Sequence, residues 1–289
     1  MTSDPLGIAG KHRDLEAQLY ALYRNAFEKA ERERRWSVFE DVPWARAKNG
    51  APPALVECAE TFFVIETFLP DFVKNGFAAL RTLVGPSWFL ATWAYEKSKH
   101  QLALREWLLR SGHRSEIELA DLERSALSQS WPAPFASARQ MLFYGCIQEM
   151  STFVTYAKHR EEARKAGDEC LRTIYDFIAR DEIAHARFLE SAVRLYLADD
   201  RAGTVADMAA VLGSFVTPGK IVLPDYEARM RKVREAGLDR DVFIQRVYVP
   251  VLKHLGVTRR EIVMARALTR KNLAGPAKTI TDLSMKVSA

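Results

Sequence analysis

The sequence predicts an all-α protein built on a bundle of four long helices. Three observations carry this. Apolar residues recur at three- and four-residue spacing along most of the 289 residues, and alternating β-type patterns are nearly absent. Glycine, proline and N-capping residues punctuate the chain at intervals that leave four segments of more than twenty residues. The connections between those segments are short, as in antiparallel bundles.

Residues 1–53 read as an N-terminal helix and loop that pack on the core. Asp14 to about Arg35 carries helical periodicity, with Leu15, Leu19, Leu22 and Tyr23 on one side. The stretch Trp36–Trp44 and then Gly50-Ala51-Pro52-Pro53 break it into a loop that brings tryptophans onto the main body. Residues 54–271 hold the bundle and its C-terminal helices. The first long helix runs from Ala54 toward Leu83 and is ended by Gly85-Pro86; Ser87 caps the next, Trp88 to Arg110, closed by Ser111-Gly112. A shorter helix from Glu116 stops before Trp131-Pro132-Ala133-Pro134. The third long helix spans about Phe135–Lys165 with Gly167 as its stop, and the fourth follows as Asp168–Leu197. Shorter pieces come after it, Val205–Leu212, Tyr226–Glu235, Asp239–Leu255 and Arg259–Lys271, and residues 272–289 read as a polar, mobile tail.

Composition narrows the function. Hydrophobic residues make up 48% and charged residues 27% of the chain, ordinary for a globular protein. No run of about 18 apolar residues predicts a membrane span, and the first ten residues lack the order of a signal peptide, so a cytoplasmic protein is expected. Cys58, Cys146 and Cys170 have no metal-type spacing and read as small core residues. A net charge of +5 and a pI of about 9.1 suit steering toward an acidic partner such as a carrier protein. Basic residues lack interleaved aromatics, so no nucleic-acid role is expected. The cluster Arg229-Met230-Arg231-Lys232-Val233-Arg234 is the one candidate docking patch.

The chemistry lies in polar residues set among apolar ones. Glu66 follows Phe62, Phe63 and Ile65, and Pro70 removes the hydrogen bond to its carbonyl, which should bend the helix there. His100 lies on the second long helix. Glu149 lies on the third, with Gly145 four residues before it permitting close approach and Thr152 one turn after it. Glu182 and His185 leave the same face of the fourth, beside Asp181. Glu-x-x-His by itself is a weak signal. Ionisable residues on apolar faces of four successive helices are not, because converging buried carboxylates require cations. A carboxylate–histidine metal centre is the result.

This order of residues resembles the ferritin-like dimetal carboxylate proteins and, among them, the soluble acyl-acyl carrier protein desaturases. The resemblance rests on Ile65-Glu66-Thr67-Phe68-Leu69-Pro70, on Trp93 to His100 followed by Leu108 to Gly112, on Gln148-Glu149 with Thr152, and on Ala179 to His185; it covers about residues 15–257. It implies a ferritin-like four-helix bundle with additional N- and C-terminal helices. It also implies Glu66, His100, Glu149, Glu182 and His185 as metal ligands, Thr152 beside the oxygen-binding side, and Asp181 as an acid orienting a ligand histidine. The cofactors it implies are two irons, with manganese also suited to the donor set, and dioxygen as co-substrate. The partners it implies are an acyl carrier protein bearing the substrate, a ferredoxin-type electron donor and a second copy of the chain in a homodimer.

One position departs from the pattern. Where the family carries a bridging glutamate three residues before the histidine, this chain has Lys97. Three carboxylates and one ammonium sum to −2, which a single divalent ion neutralises. Three arrangements follow: Lys97 pairs with Glu182 or Glu149 and takes over part of one metal's charge; Lys97 turns outward while Glu96 bridges an ordinary diiron site; or a lysine of lowered pKa acts as base or amine. The functions to distinguish are desaturation or hydroxylation of a carrier-bound acyl chain, oxygenation of a carrier-bound amino or aryl acid, and redox-silent binding of an acyl chain or carrier protein.

Overall fold

A computed structural model describes residues 8–273 apart from 48, 134, 218, 224 and 236–238. Helix α1, Ile8–Glu33, lies across the bundle and packs on its second and fourth long helices. The chain then buries Trp36, Val38 and Val42 in the common core before α2, Pro53–Thr67. Pro53 at its first position has no N–H to leave unpaired. Where one bent helix to Leu83 is expected, the chain breaks at Phe68 and resumes as α3, Leu69–Leu80. Pro70 cannot donate to the Glu66 carbonyl, so the ladder is interrupted one turn after Glu66.

Helix α4, Val84–Arg110, starts earlier than the Ser87 cap predicts. Gly85 and Pro86 lie in its first turn, where proline is tolerated, and do not stop the helix before it. Gly85 serves a crossing: a Cβ there would sit 2.5 Å from the Leu19 carbonyl oxygen of α1. The Ser87 hydroxyl instead donates to the Leu80 carbonyl. Helix α4 ends at Ser111 and Gly112, the latter at φ 73°. Helix α5, Glu116–Leu127, opens with a capping box formed by Ser115 and Glu118.

Helices α6, Ala138–Lys165, and α7, Glu169–Asp199, are the most extensively packed pair. Ser137 and Asp168 cap them. A Cβ on Gly145 would meet a Leu189 methyl at 3.1 Å, so this glycine sets the approach of α7 to α6. Helix α8, Arg201–Ser214, is longer than the Val205–Leu212 pattern because Asp200 caps it from one turn upstream.

The remaining helices are α9 Gly219–Val222, α10 Tyr226–Glu235, α11 Arg240–Phe243, α12 Val249–Leu255 and α13 Arg259–Leu273. Between α11 and α12, Ile244–Tyr248 forms a π-helical turn where a plain helix is expected. Pro250 lacks the N–H that would bond the Arg246 carbonyl, and the Val249 N–H reaches back five residues to Ile244. No single described helix is long and apolar enough to cross a membrane. Cys58, Cys146 and Cys170 are buried free thiols. The polar tail from residue 274 lies outside the described residues.

Candidate metal centre

The four long helical segments bring their polar residues together at mid-height of the bundle. Glu66 comes from the last turn of α2, and Lys97 and His100 come from successive turns of α4. Glu149, Thr152 and Tyr156 come from α6, and Asp181, Glu182 and His185 from α7. All but Thr152 are buried. Two triads result, Glu66–His100–Glu182 and Glu149–Glu182–His185, each with one donor atom per residue within 4.8 Å of the others. Glu182 belongs to both.

Lys97 points inward. Its Nζ donates to Glu182 Oε1 at 2.7 Å and to Glu66 Oε1 at 3.1 Å, and it lies 5.6 Å from the Trp93 ring centre. Burial alone would push its pKa down, but the charges of Glu149, Glu182 and Glu66 outweigh burial and raise it, so the side chain is an ammonium. Glu66 Oε1 also accepts from the Tyr156 hydroxyl at 2.9 Å. Two donors on one oxygen use both of its lone pairs. Two of the oxygens the first triad offers, Glu66 Oε1 and Glu182 Oε1, are therefore engaged by Lys97 and Tyr156, and His100 Nδ1, 3.3 Å from Glu182 Oε1, has no hydrogen-bond partner.

The second triad is open. Glu149 Oε2 accepts from Trp93 Nε1 at 3.0 Å and faces His185 Nδ1 at 3.0 Å, while Glu149 Oε1 is buried with no partner. Glu182 Oε2 accepts from the Thr152 hydroxyl at 2.9 Å and lies 3.9 Å from His185 Nδ1. Burial and then repulsion from Glu182 push Glu149 up to about 7. On Glu182, burial is outweighed by the adjacent Lys97 ammonium, and its pKa falls. On His100 and His185, burial is outweighed by the surrounding carboxylates, and both pKa values rise. The inner charge of −2 thus draws protons onto the imidazoles in the metal-free molecule. A divalent ion bound there would supply the same charge and release those protons.

Around this inner set lies a second layer. His100 Nε2 meets Asp181 Oδ2 at 3.2 Å, and His185 Nε2 meets Glu96 Oε2 at 2.6 Å, so both rings turn Nδ1 inward. Asp181 also accepts from Trp36 Nε1 at 2.8 Å and from Arg34 at 2.5 Å; Glu96 accepts from Arg34 at 3.2 Å and Arg35 at 3.0 Å. Glu96 therefore faces the outer side of His185, and the arrangement in which it bridges while Lys97 turns away is not the one adopted.

Sequence reasoning missed Arg34, Arg35, Trp36, Trp93 and Tyr156. A signal existed: buried Asp181 needs a cation, and Arg34-Arg35-Trp36 is a basic pair next to an aromatic ring just past the first helix. Tyr156 lies two turns beyond Glu149, on the same face. The basic patch on α10 is partly paired internally, Arg229 with Glu60 at 2.6 Å and Lys232 with Glu57; Arg231 is exposed, and the Arg234 side chain lies outside the described residues.

An apolar cavity of about 320 Å³ lies beside the centre on the side of α2, α6 and α10, with Phe62, Ile65, Met230, Phe243 and Val247 in its walls together with Gln148 and Thr152. A smaller space of about 30 Å³, sharing Ile65, Gln148 and Thr152, continues to Glu66, Lys97 and Trp93.

Fold and site define a ferritin-like helical bundle with a buried carboxylate–histidine cluster between its long helices. The sequence model of the fatty acid desaturase family matches residues 83–286, and the chain belongs to that family. Among curated relatives, acyl-[acyl-carrier-protein] desaturase 4, chloroplastic, of Oryza sativa subsp. japonica is 28% identical over 185 residues, covering 60% of this chain and 44% of that protein. Acyl-[acyl-carrier-protein] desaturase 7, chloroplastic, of Oryza sativa subsp. indica is 25% identical over 188 residues, covering 61% and 46%. The match thus spans less than half the length of these relatives. Among solved structures, DesA2 of Mycobacterium tuberculosis H37Rv superposes with a TM-score of 0.57 at 20% identity, covering 85% of this chain and 100% of that one. A variant of the R2-like ligand-binding oxidase with an Mn/Fe cofactor gives 0.61 at 15% identity, covering 89% and 100%. At these identities the likeness is one of fold.

Proposed function

We propose that this chain is a metal-dependent oxidoreductase that acts on an acyl chain tethered to an acyl carrier protein. In this reading its centre holds one divalent ion at Glu149, Glu182 and His185, and Lys97 stands where a second would bind. The observation that carries the proposal is the pair of Lys97 hydrogen bonds to Glu66 Oε1 and Glu182 Oε1, which puts a buried ammonium inside the first triad, where a second cation would otherwise sit. Iron or manganese suits this donor set, and such an ion supplies the one-electron chemistry that reduction of dioxygen needs.

The residues of the chain do the rest. The apolar cavity excludes water and takes the acyl chain, with Gln148 and Thr152 in its walls. Thr152 fixes Glu182, Trp93 fixes Glu149, and Asp181 and Glu96 fix the histidines. Lys97 holds a proton beside the inner space, which disfavours its use as a base or amine nucleophile. Helix α10 forms part of the cavity wall through Tyr226 and Met230 and exposes Arg231, which suits an acidic carrier docking at the mouth. A ferredoxin-type donor and a homodimer complete the reading by resemblance. Desaturation and hydroxylation both begin with hydrogen removal from the bound chain, and the product separates them.

Anaerobic titration with ferrous iron tests the proposal, followed by oxygen uptake with acyl carrier protein substrates. Wild type should saturate near one ion and Lys97→Glu near two. Two tight ions in wild type refute the one-metal centre. One ion with carrier binding, but no oxygen uptake on any carrier-bound acyl chain, establishes a redox-silent binding protein, which the ammonium inside the first triad also favours.

A further inference from the structure

On the face of the bundle away from the acyl cavity, α1, α4 and α7 line a second, open cavity of about 410 Å³. Its walls are aromatic and aliphatic, with Tyr23 and Phe27 from α1, Phe89 from α4, and Ile183 and Phe188 from α7. Its charges are unbalanced. Lys29 has Glu33 at 3.8 Å across one helical turn, and Arg34 is held by Asp181 and Glu96. Arg180 and Arg187, two turns apart on α7, have no carboxylate partner among the described residues. Arg180 donates from Nη2 to the Arg34 carbonyl and stacks on Phe177 at 5.0 Å, but its Nε is buried with no acceptor. Two guanidinium groups without a carboxylate partner, set beside an apolar wall, suit an anionic ligand.

We propose that this cavity is a binding site for a free carboxylic acid with an apolar body. The carboxylate meets the guanidinium groups of Arg180 and Arg187, whose planar forks match it, and the aromatic walls cover the chain. The volume lies in the range of sites for small ligands. The site needs neither a metal nor the acyl cavity, so it stands or falls apart from the oxidoreductase reading.

Calorimetric titration of the metal-free full chain with decanoate, and with 1-decanol as the uncharged analogue, tests it. Decanoate should bind at one site, about ten-fold tighter than decanol, the worth of one charge-assisted hydrogen bond. Arg187→Gln, at an exposed position that leaves the fold intact, should weaken decanoate about ten-fold and leave decanol unchanged. Ala184→Phe, which fills the cavity, should remove binding, and Ser151→Leu in the acyl cavity should leave it as it was. Absence of decanoate binding, equal affinity for decanol, or loss with Ser151→Leu and none with Ala184→Phe would each overturn the assignment.

Discussion

Replacing Lys97 by methionine removes the ammonium and keeps most of the volume. Glu66 Oε1 then keeps only the Tyr156 hydroxyl, and Glu182 Oε1 loses its 2.7 Å donor. Removing one partner of a buried ion pair costs about 3–5 kcal/mol, because the remaining charge is left uncompensated. In a chain of this size each kcal/mol moves the midpoint of thermal unfolding by roughly 2–4 °C, so the metal-free variant should melt roughly 6–20 °C below wild type. The same change frees the oxygens of the first triad. Adding manganese(II) should therefore stabilise the variant more than it stabilises wild type, since the ion replaces the lost charge. The assay is a pair of thermal melts, with chelator and with manganese(II), on both proteins. The double variant Lys97→Met with Glu66→Gln should recover part of the loss, because it removes one uncompensated charge. If Lys97→Met melts within 2 °C of wild type in chelator, the ammonium does not hold these carboxylates and the charge argument fails.

His159 carries a separate prediction on pH. Burial pushes its pKa down from 6.5 to about 4, and neither ring nitrogen has a hydrogen-bond partner. Between those values the unfolded chain binds the proton and the folded chain does not, so stability rises with pH across this window and is complete above 6.5. The size is about 3 kcal/mol; His159→Phe, packed against Phe62 and Tyr175, should flatten this part of the profile in urea unfolding at pH 4 and pH 7. Arg34→Gln removes the cation shared by Asp181 and Glu96, and manganese(II) affinity measured by competition should fall about 10- to 100-fold, with Arg34→Lys losing less. An unchanged affinity would mean that the histidines hold their orientation without it.

The long helices were legible because periodicity and caps agree with one another over many residues. Breaks inside helices were less so. Proline marks both the interruption after Glu66 and the π turn before Pro250, but its local pattern does not say whether a helix bends, splits or takes an extra residue. Gly85-Pro86 misleads for a different reason: the pair that ends one helix in sequence terms opens the next, because the glycine lets the α1 backbone cross there. At the site, the inward residues could be read from their apolar neighbours. The outer layer could not, since Arg34 and Trp36 meet Asp181 only through tertiary packing. The direction in which Lys97 points was likewise open, as Glu96 and Lys97 are adjacent and only tertiary packing brings Arg34 and Arg35 onto Glu96.

Glu182 is common to both triads, and this has a consequence for the order in which the molecule is made. Glu66 and Lys97 are 31 residues apart and are synthesised early, whereas Arg34 is separated from Asp181 by 147 residues. At roughly 5–20 residues per second, the ribosome takes about 7–30 s to supply that distance. Until α7 has emerged, neither triad can form and the arginine clasp has nothing to close on. Completion of either triad is therefore a late step, coupled to the docking of one helix.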